Sequence, residues 1–270
     1  MANTKGKNKT IYLGNSQVIG HTETPDWSFL YEAASSIINP NFHVGDRVVL
    51  PDGRVFRYAK AAGACYTYQL CMFNNQITVS YTSLLQAQAV GDKSIHIDAG
   101  AAAAVAEDEL RGGYVVIYGS DNSDVQQRGI VGNTLADSDG HTTIYLDAAL
   151  VTAVTTSMAA EVIKSPYSGV LTVGSTNYAS AAGLPAVEAD ASGEYLWIQT
   201  WGPCAISPGE SAVCDAANER EVCSDNSVGA LHESYDSTFG VPVSGQVVGA
   251  GLERTASGTG AVFFSLRLDP

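Results

Sequence analysis

Gly193-Glu194-Tyr195-Leu196-Trp197-Ile198-Gln199-Thr200-Trp201-Gly202-Pro203 holds two of the chain's three tryptophans. It follows a turn-like segment, Asp190-Ala191-Ser192-Gly193, and closes on a Gly-Pro pair that reads as a stop. As a strand it places Leu196, Ile198 and Thr200 on one face, because successive side chains alternate. Tyr195, Trp197, Gln199 and Trp201 fall on the other. Glu194, at the edge, is its only charge. A strand apolar on both faces must be covered on both, by a second sheet or by another subunit. Mid-strand Trp197 is expected in the core. Trp201, beside the Gly-Pro exit, is expected nearer a subunit contact. Tyr195, Trp197 and Trp201 are thus the candidates for core or oligomer interface.

The neighbouring stretches read the same way. In Ala261–Leu268, Val262, Phe264, Leu266 and Leu268 share one face, so the segment should pair into the core sheet. Lys93–Asp98 and His141–Leu146 alternate cleanly, and Gly112–Gly119 and Gln127–Thr134 are strand-like. Asp137-Ser138-Asp139-Gly140 is a turn signal. Such signals recur through this part of the chain, which predicts a sandwich or barrel. Ala101–Leu110 has helical propensity but is flanked by glycines, and stays ambiguous. Ser83–Val90 reads as a short helix or an irregular link.

Upstream, Asp46–Leu50 and Arg54–Tyr58 flank Pro51-Asp52-Gly53, a hairpin. Thr24-Pro25-Asp26 looks like a helix start, with Trp27, Leu30, Tyr31 and Ala34 at helical spacing and Asn39-Pro40 ending it. Residues 1–20 read as an extended arm with one apolar patch, Ile11-Tyr12-Leu13. The expected fold is therefore mainly β: a β-sandwich or barrel-like antiparallel domain with an extended N-terminal arm and one short helix. A composition shift near Val90 divides it into an arm, helix and hairpin region (1–90) and a β-rich body (91–270).

Composition narrows the chemistry. The net charge is −14, while Lys5, Lys7 and Lys9 make the first ten residues +3, which leaves −17 on the rest. A body this acidic repels nucleic acid, and a basic arm suits an acidic neighbour or simply solvent. Charged residues are only 16 %, which suits a β-rich protein with much surface in contacts. The five cysteines are an odd number, and Cys65 and Cys71 could close a short loop. The spacing of Cys204, Cys214 and Cys223 lacks the tight pairs of structural zinc sites. Free buried thiols are favoured, which points to folding in a reducing cytosol. No apolar stretch behind the N-terminal lysines resembles a leader, and no window is long enough for a membrane span.

No nucleotide loop, zinc-protease helix or nucleophile elbow occurs. Asp137-Ser138-Asp139-Gly140 begins like a calcium loop, but its glycine comes early and its twelfth position is Ala148. His21, His43, His96, His141 and His232 are scattered, and the paired acids sit at element ends. No catalytic residue, cofactor or metal site is expected.

Several segments in order resemble a known group. They are Gly112–Ile117, Gln127–Asn133, Thr142–Leu146, Ser165-Pro166-Tyr167 and above all Gly193–Cys204; Leu50–Tyr58 is also typical. Together they resemble tailed-bacteriophage head decoration (cement) proteins, over about Gly91 to Leu268. The Cys-rich insert Cys204–Cys223 departs from that pattern. The resemblance implies a non-enzymatic virion component, made in the bacterial cytoplasm. It would bind the outer surface of the major capsid shell, often as a homotrimer, and brace it against internal pressure. No direct nucleic-acid or membrane partner is implied. The arm residues Lys5, Lys7, Lys9, Ile11, Tyr12 and Leu13 become candidate capsid contacts. The alternative is a tail, baseplate or fibre protein that recognises a host receptor or glycan.

Overall fold

A computed structural model describes residues 26–74, 77–100, 105–119, 124–172, 180–206, 221–224, 246–252 and 261–269. It also gives the strand backbone at Thr10–Tyr12, Ser16–Val18, His21–Glu23, Leu231–Glu233, Tyr235–Asp236 and Val241–Pro242. The architecture is mainly β, and the helical turns among the described residues are short. The chain divides into two compact units: 75–166 is one, and 10–74 with 167–270 forms the core of the other. The division expected near Val90 therefore runs elsewhere. Val55–Lys60 pairs with Tyr195–Trp201, which ties the early hairpin to the late strands. The composition shift near Val90 lies inside the first unit, between Ile77–Ser83 and Ser94–Asp98.

That unit is a six-stranded antiparallel sheet, in the order Ile77–Ser83, Ala159–Ile163, Tyr114–Tyr118, Gln126–Asn133, His141–Leu146, Ser94–Asp98. It curls until its edge strands meet: Leu84 bridges Ile97, and the Leu85 N–H donates to His96 O at 2.9 Å. Alternation delivers the core. Ile95, Ile97, Val115, Ile117, Ile144 and Val162 all point inward and are fully buried. Val105–Gly112 covers this core with turns, burying Val105 and Leu110. Its helical reading fails because Asn133, also buried, pins it as turns. Asn133 Oδ1 accepts the Leu110 N–H at 2.9 Å, and Nδ2 donates to Ala106 O and Thr134 O, each at 2.8 Å. Asp108 sits at φ 57°, outside helical geometry.

The other unit holds an eleven-stranded sheet among the described residues. Its main path runs Thr10–Tyr12, Arg47–Val49, Val55–Lys60, Tyr195–Ile206, Val262–Arg267, Val247–Gly251, Glu221–Ser224, Leu231–Glu233. Ala181–Pro185, Cys71–Phe73 and Val170–Thr172 branch from Tyr195–Ile206 in that order. The described ladders are antiparallel except that Thr10–Tyr12 lies parallel to Arg47–Val49. The predicted hairpin forms, with Gly53 at φ 86° donating to Leu50 O at 3.0 Å. The last strand buries Phe264 and Leu266 and leaves Phe263 and Arg267 exposed, as its alternation requires.

Two expectations change. The helix predicted from Thr24 is a single 3-10 turn, Ser28–Tyr31; Thr24 and Pro25 lie outside the described residues. Glu32 is already extended at ψ 144°, because Ser35 exchanges backbone hydrogen bonds with Tyr195. Tertiary pairing overrides the local helical signal. Second, Gly202-Pro203 does not stop the aromatic strand, which runs twelve residues to Ile206. The strand bulges at Thr200, where its register with Val55–Lys60 slips between Gln199 and Trp201, and Gly202 follows at φ 94°. The Gln199 side chain supports it, donating from Nε2 to the carbonyls of Trp201, Gly202 and Pro203 at 3.1, 3.3 and 2.9 Å. The strand pairs with Val55–Lys60 as far as Trp201, and with Val262–Arg267 from Trp201 onward.

Candidate interaction surface

The aromatic strand separates two hydrophobic clusters. Leu196 and Ile198 enter one with Ala59, Cys65, Cys71 and Val170. Trp197 enters the other with Leu30, Val48, Leu50, Phe56 and Tyr58. Trp197 is 3 % exposed, so both of its covers come from its own chain. In sheet register it faces Tyr58, and their ring centroids lie 5.0 Å apart. Phe42 and Phe29 meet it edge-on at 5.0 and 5.7 Å, an arrangement that aligns ring edges with ring faces.

At the margin of this aromatic layer the covering thins. Tyr195 is half-buried and stacks on Tyr58 at 5.9 Å, with Lys60 Nζ 5.4 Å from its ring centre. Phe29, Phe42, Tyr58, Tyr195 and Trp197 bound a cleft of about 280 Å³, with Glu32 in its wall. Ile37 and Ile38, in the same wall, are 78 % and 41 % exposed. Tyr58 OH accepts the Asn39 N–H at 3.3 Å, and burial raises the phenol's pKa. Trp201 is half-buried at the bulge, where the strand changes partners. The cleft residues Phe29 and Phe42 were not singled out by the sequence. The available signal was the Phe56/Tyr58 alternation directly beside the Pro51-Asp52-Gly53 turn.

The arm candidates separate. Lys5, Lys7, Lys9 and Leu13 lie outside the described residues. Ile11 and Tyr12 belong to the strand Thr10–Tyr12, in register with Val48 and Val49. A second exposed aromatic feature sits elsewhere in the same unit: Tyr66 and Tyr68 stack at 5.5 Å on a loop.

Among the described residues, Asp137, Asp139 and His141 form the one group of three with metal-ligand atoms close together. Its geometry is that of the predicted turn. Asp137 Oδ1 accepts the N–H groups of Asp139 at 3.0 Å and His141 at 2.8 Å, and Oδ2 lies 3.2 Å from His141 Nδ1. The His141 N–H holds the Asp137 carboxyl below the usual carboxylate range. His96 Nδ1 pairs with Thr143 Oγ1 at 2.9 Å across the barrel strands. Cys65, Cys71, Cys204 and Cys223 are free thiols, and burial pushes Cys204 up to about 12. Cys214 and the side chain of His232 lie outside the described residues.

A polar clamp went unread in the sequence. Asp269 Oδ2 accepts from Tyr167 OH at 2.6 Å and from Arg57 Nε at 2.8 Å. Thr200 Oγ1 donates to Asp269 O at 2.7 Å. These residues come from distant points of the chain, and no local spacing signals them. Among the described residues, no helix is long and apolar enough to cross a membrane. No protein-family model matches the chain, nor does any curated protein or solved structure.

Proposed function

We propose that this protein is a decoration (cement) protein of a tailed-phage head, bound to the outer surface of the major capsid shell and acting without catalysis. One observation carries the reading. Gly193–Cys204, the stretch most specific to that group, and Leu50–Tyr58, which is also typical of it, are hydrogen-bonded neighbours from Trp197↔Tyr58 to Trp201↔Val55. These two segments therefore meet in one folded unit, with the buried Trp197–Tyr58 pair between them, while Gly112–Ile117, Gln127–Asn133 and Thr142–Leu146 belong to the six-stranded sheet of the other unit. The half-buried Tyr195 and Trp201, and exposed Ile37 and Ile38, supply apolar area of the kind that subunit and shell contacts use. The bound form is a homotrimer in this reading.

Cryo-EM of the intact particle tests it. Density of this fold on the head shell, where capsid subunits meet, is expected; density confined to the tail overturns it. Deleting residues 1–9 leaves the Thr10–Tyr12 strand in place. That deletion is expected to weaken attachment to stripped heads while the thermal midpoint of the body stays unchanged. Unchanged occupancy on the heads removes the arm from the contact.

The stacked, exposed Tyr66–Tyr68 pair favours a second reading: a tail or fibre protein whose aromatic surface binds a host glycan. Sugar rings pack on such faces through apolar contact. Tail density together with glycan-array binding that is lost in Tyr68→Ala would establish it.

A further inference from the structure

We infer that the aromatic cleft is a binding site for an arginine side chain presented by a partner protein, with Glu32 as the group that pairs with the guanidinium. The cleft is built before a ligand arrives. One wall is the segment 35–42, and hydrogen bonds pin that segment to the sheet and to itself. Ser35 exchanges backbone hydrogen bonds with Tyr195 at 3.3 and 2.8 Å, and the Ile37 N–H donates to Ser35 Oγ at 3.1 Å. The Asn39 N–H donates to Tyr58 OH at 3.3 Å, and the Phe42 N–H to Asn39 O at 3.0 Å. A wall held in this way loses little freedom on binding.

Three features choose the occupant. First, aromatic rings line much of the 280 Å³ space, and Glu32 is the one charged residue among its described lining. No hydrogen bond or ion pair to a described residue engages the Glu32 carboxylate. Rings and an acid together recognise a cation, the rings through their quadrupoles and the acid through its charge. The chain's net charge of −14 draws cations in the same sense. Second, Ile37 and Ile38 are exposed in the pinned wall. A side chain with an apolar stem and a cationic head matches both parts, its stem on the isoleucines and its head at Glu32. Third, Lys60 Nζ lies 5.4 Å from the Tyr195 ring centre without joining the lining, so a cleft ring already holds one cation. Arginine fits better than lysine. Its guanidinium is planar and more weakly hydrated, and it meets both carboxylate oxygens at once.

The test titrates Nα-acetyl-arginine amide into the isotope-labelled full-length chain and follows its amide and indole resonances. Saturable shifts are expected at Glu32, Ile38 and Tyr195, with a Kd on the order of 1 mM for a ligand this small. The neutral isostere Nα-acetyl-citrulline amide is expected to bind about fivefold more weakly. Glu32→Gln is expected to weaken arginine binding by about the same factor while the melting temperature stays unchanged. Methylguanidinium has no stem to lie on the isoleucines, and it is expected to bind several-fold more weakly. Equal binding of the citrulline derivative, or an unchanged Kd in Glu32→Gln, overturns the inference. So does the absence of saturable shifts at these residues. Equal binding of Nα-acetyl-lysine amide would overturn the arginine assignment, and equal binding of methylguanidinium the assignment to a protein side chain. Shifts with a methyl glycoside in place of arginine would give the cleft to a sugar. The wild-type comparison of arginine with citrulline decides even if a variant misfolds. No capsid enters the experiment, so its outcome is separable from that of the phage reading.

Discussion

Trp197 sits where the aromatic strand crosses the early hairpin, and its burial decides what the residue is for. Three rings pack on it and 3 % of its surface remains exposed. Trp197→Ala empties that space and is expected to cost on the order of 3–5 kcal/mol, read from the denaturant midpoint. A variant with an unchanged midpoint but a lost oligomer would move Trp197 to an interface. Tyr167 is the second informative residue. Burial raises its phenol pKa first, and the Asp269 carboxylate that accepts its proton adds to the shift. A phenol with a raised folded pKa stabilises the fold below its unfolded value, about 10, and that stability is lost as pH climbs through the folded one. Tyr167→Phe is therefore expected to cost about 1–2 kcal/mol at neutral pH and to flatten the alkaline loss of stability. Urea midpoints measured from neutral to strongly alkaline pH read both; an alkaline limb as steep as the wild type's would break the link to Tyr167.

Among the elements, Tyr195–Ile206 is the central one: it pairs with Val55–Lys60, Ala181–Pro185 and Val262–Arg267. A Cβ at Gly202 would lie 3.1 Å from Arg54 Cα and from Arg54 Cγ, at a φ that L side chains avoid. Gly202→Ala is expected to cost about 1–2 kcal/mol in chemical denaturation; no loss would mean that the backbone at Gly202 relaxes freely. Much of this level was legible in the sequence. Ser94–Asp98, His141–Leu146 and Val262–Arg267 announce themselves because alternation and burial share one period. Ser28–Tyr31 was read too long because Trp27, Leu30 and Ala34 keep helical spacing, while the chain beyond Tyr31 is drawn out by Tyr195. Gly202-Pro203 reads as an end because a Gly-Pro pair is a turn signal, and the partner strand that carries the chain through it, Val262–Arg267, is far away in sequence. The aromatic cleft was half visible: Tyr195 and Trp197 stand out, whereas Phe29 and Phe42 reach them only through tertiary packing.

At the scale of the whole molecule, the barrel of 75–166 is an insertion with its own core. The chain leaves and returns at one place: the Asn74 N–H donates to Gly169 O at 2.8 Å. Insertions with adjacent ends are the kind that fold autonomously. The fragment 75–166 alone is expected to unfold cooperatively, with the slow amide exchange of a packed barrel at Ile95, Ile97 and Ile144. Gradual melting of that fragment would show that its core depends on the rest of the chain.

The same junction governs how the protein carries tension. Cys71–Phe73 leads toward the barrel and Val170–Thr172 leads away, and the two are antiparallel partners with Cys71 opposite Thr172 and Phe73 opposite Val170. A pull on the two chain ends reaches this ladder at Cys71 and Thr172, its far side from the barrel. Tension applied at those two residues loads the ladder one pair at a time, from Cys71 and Thr172 toward Phe73 and Val170.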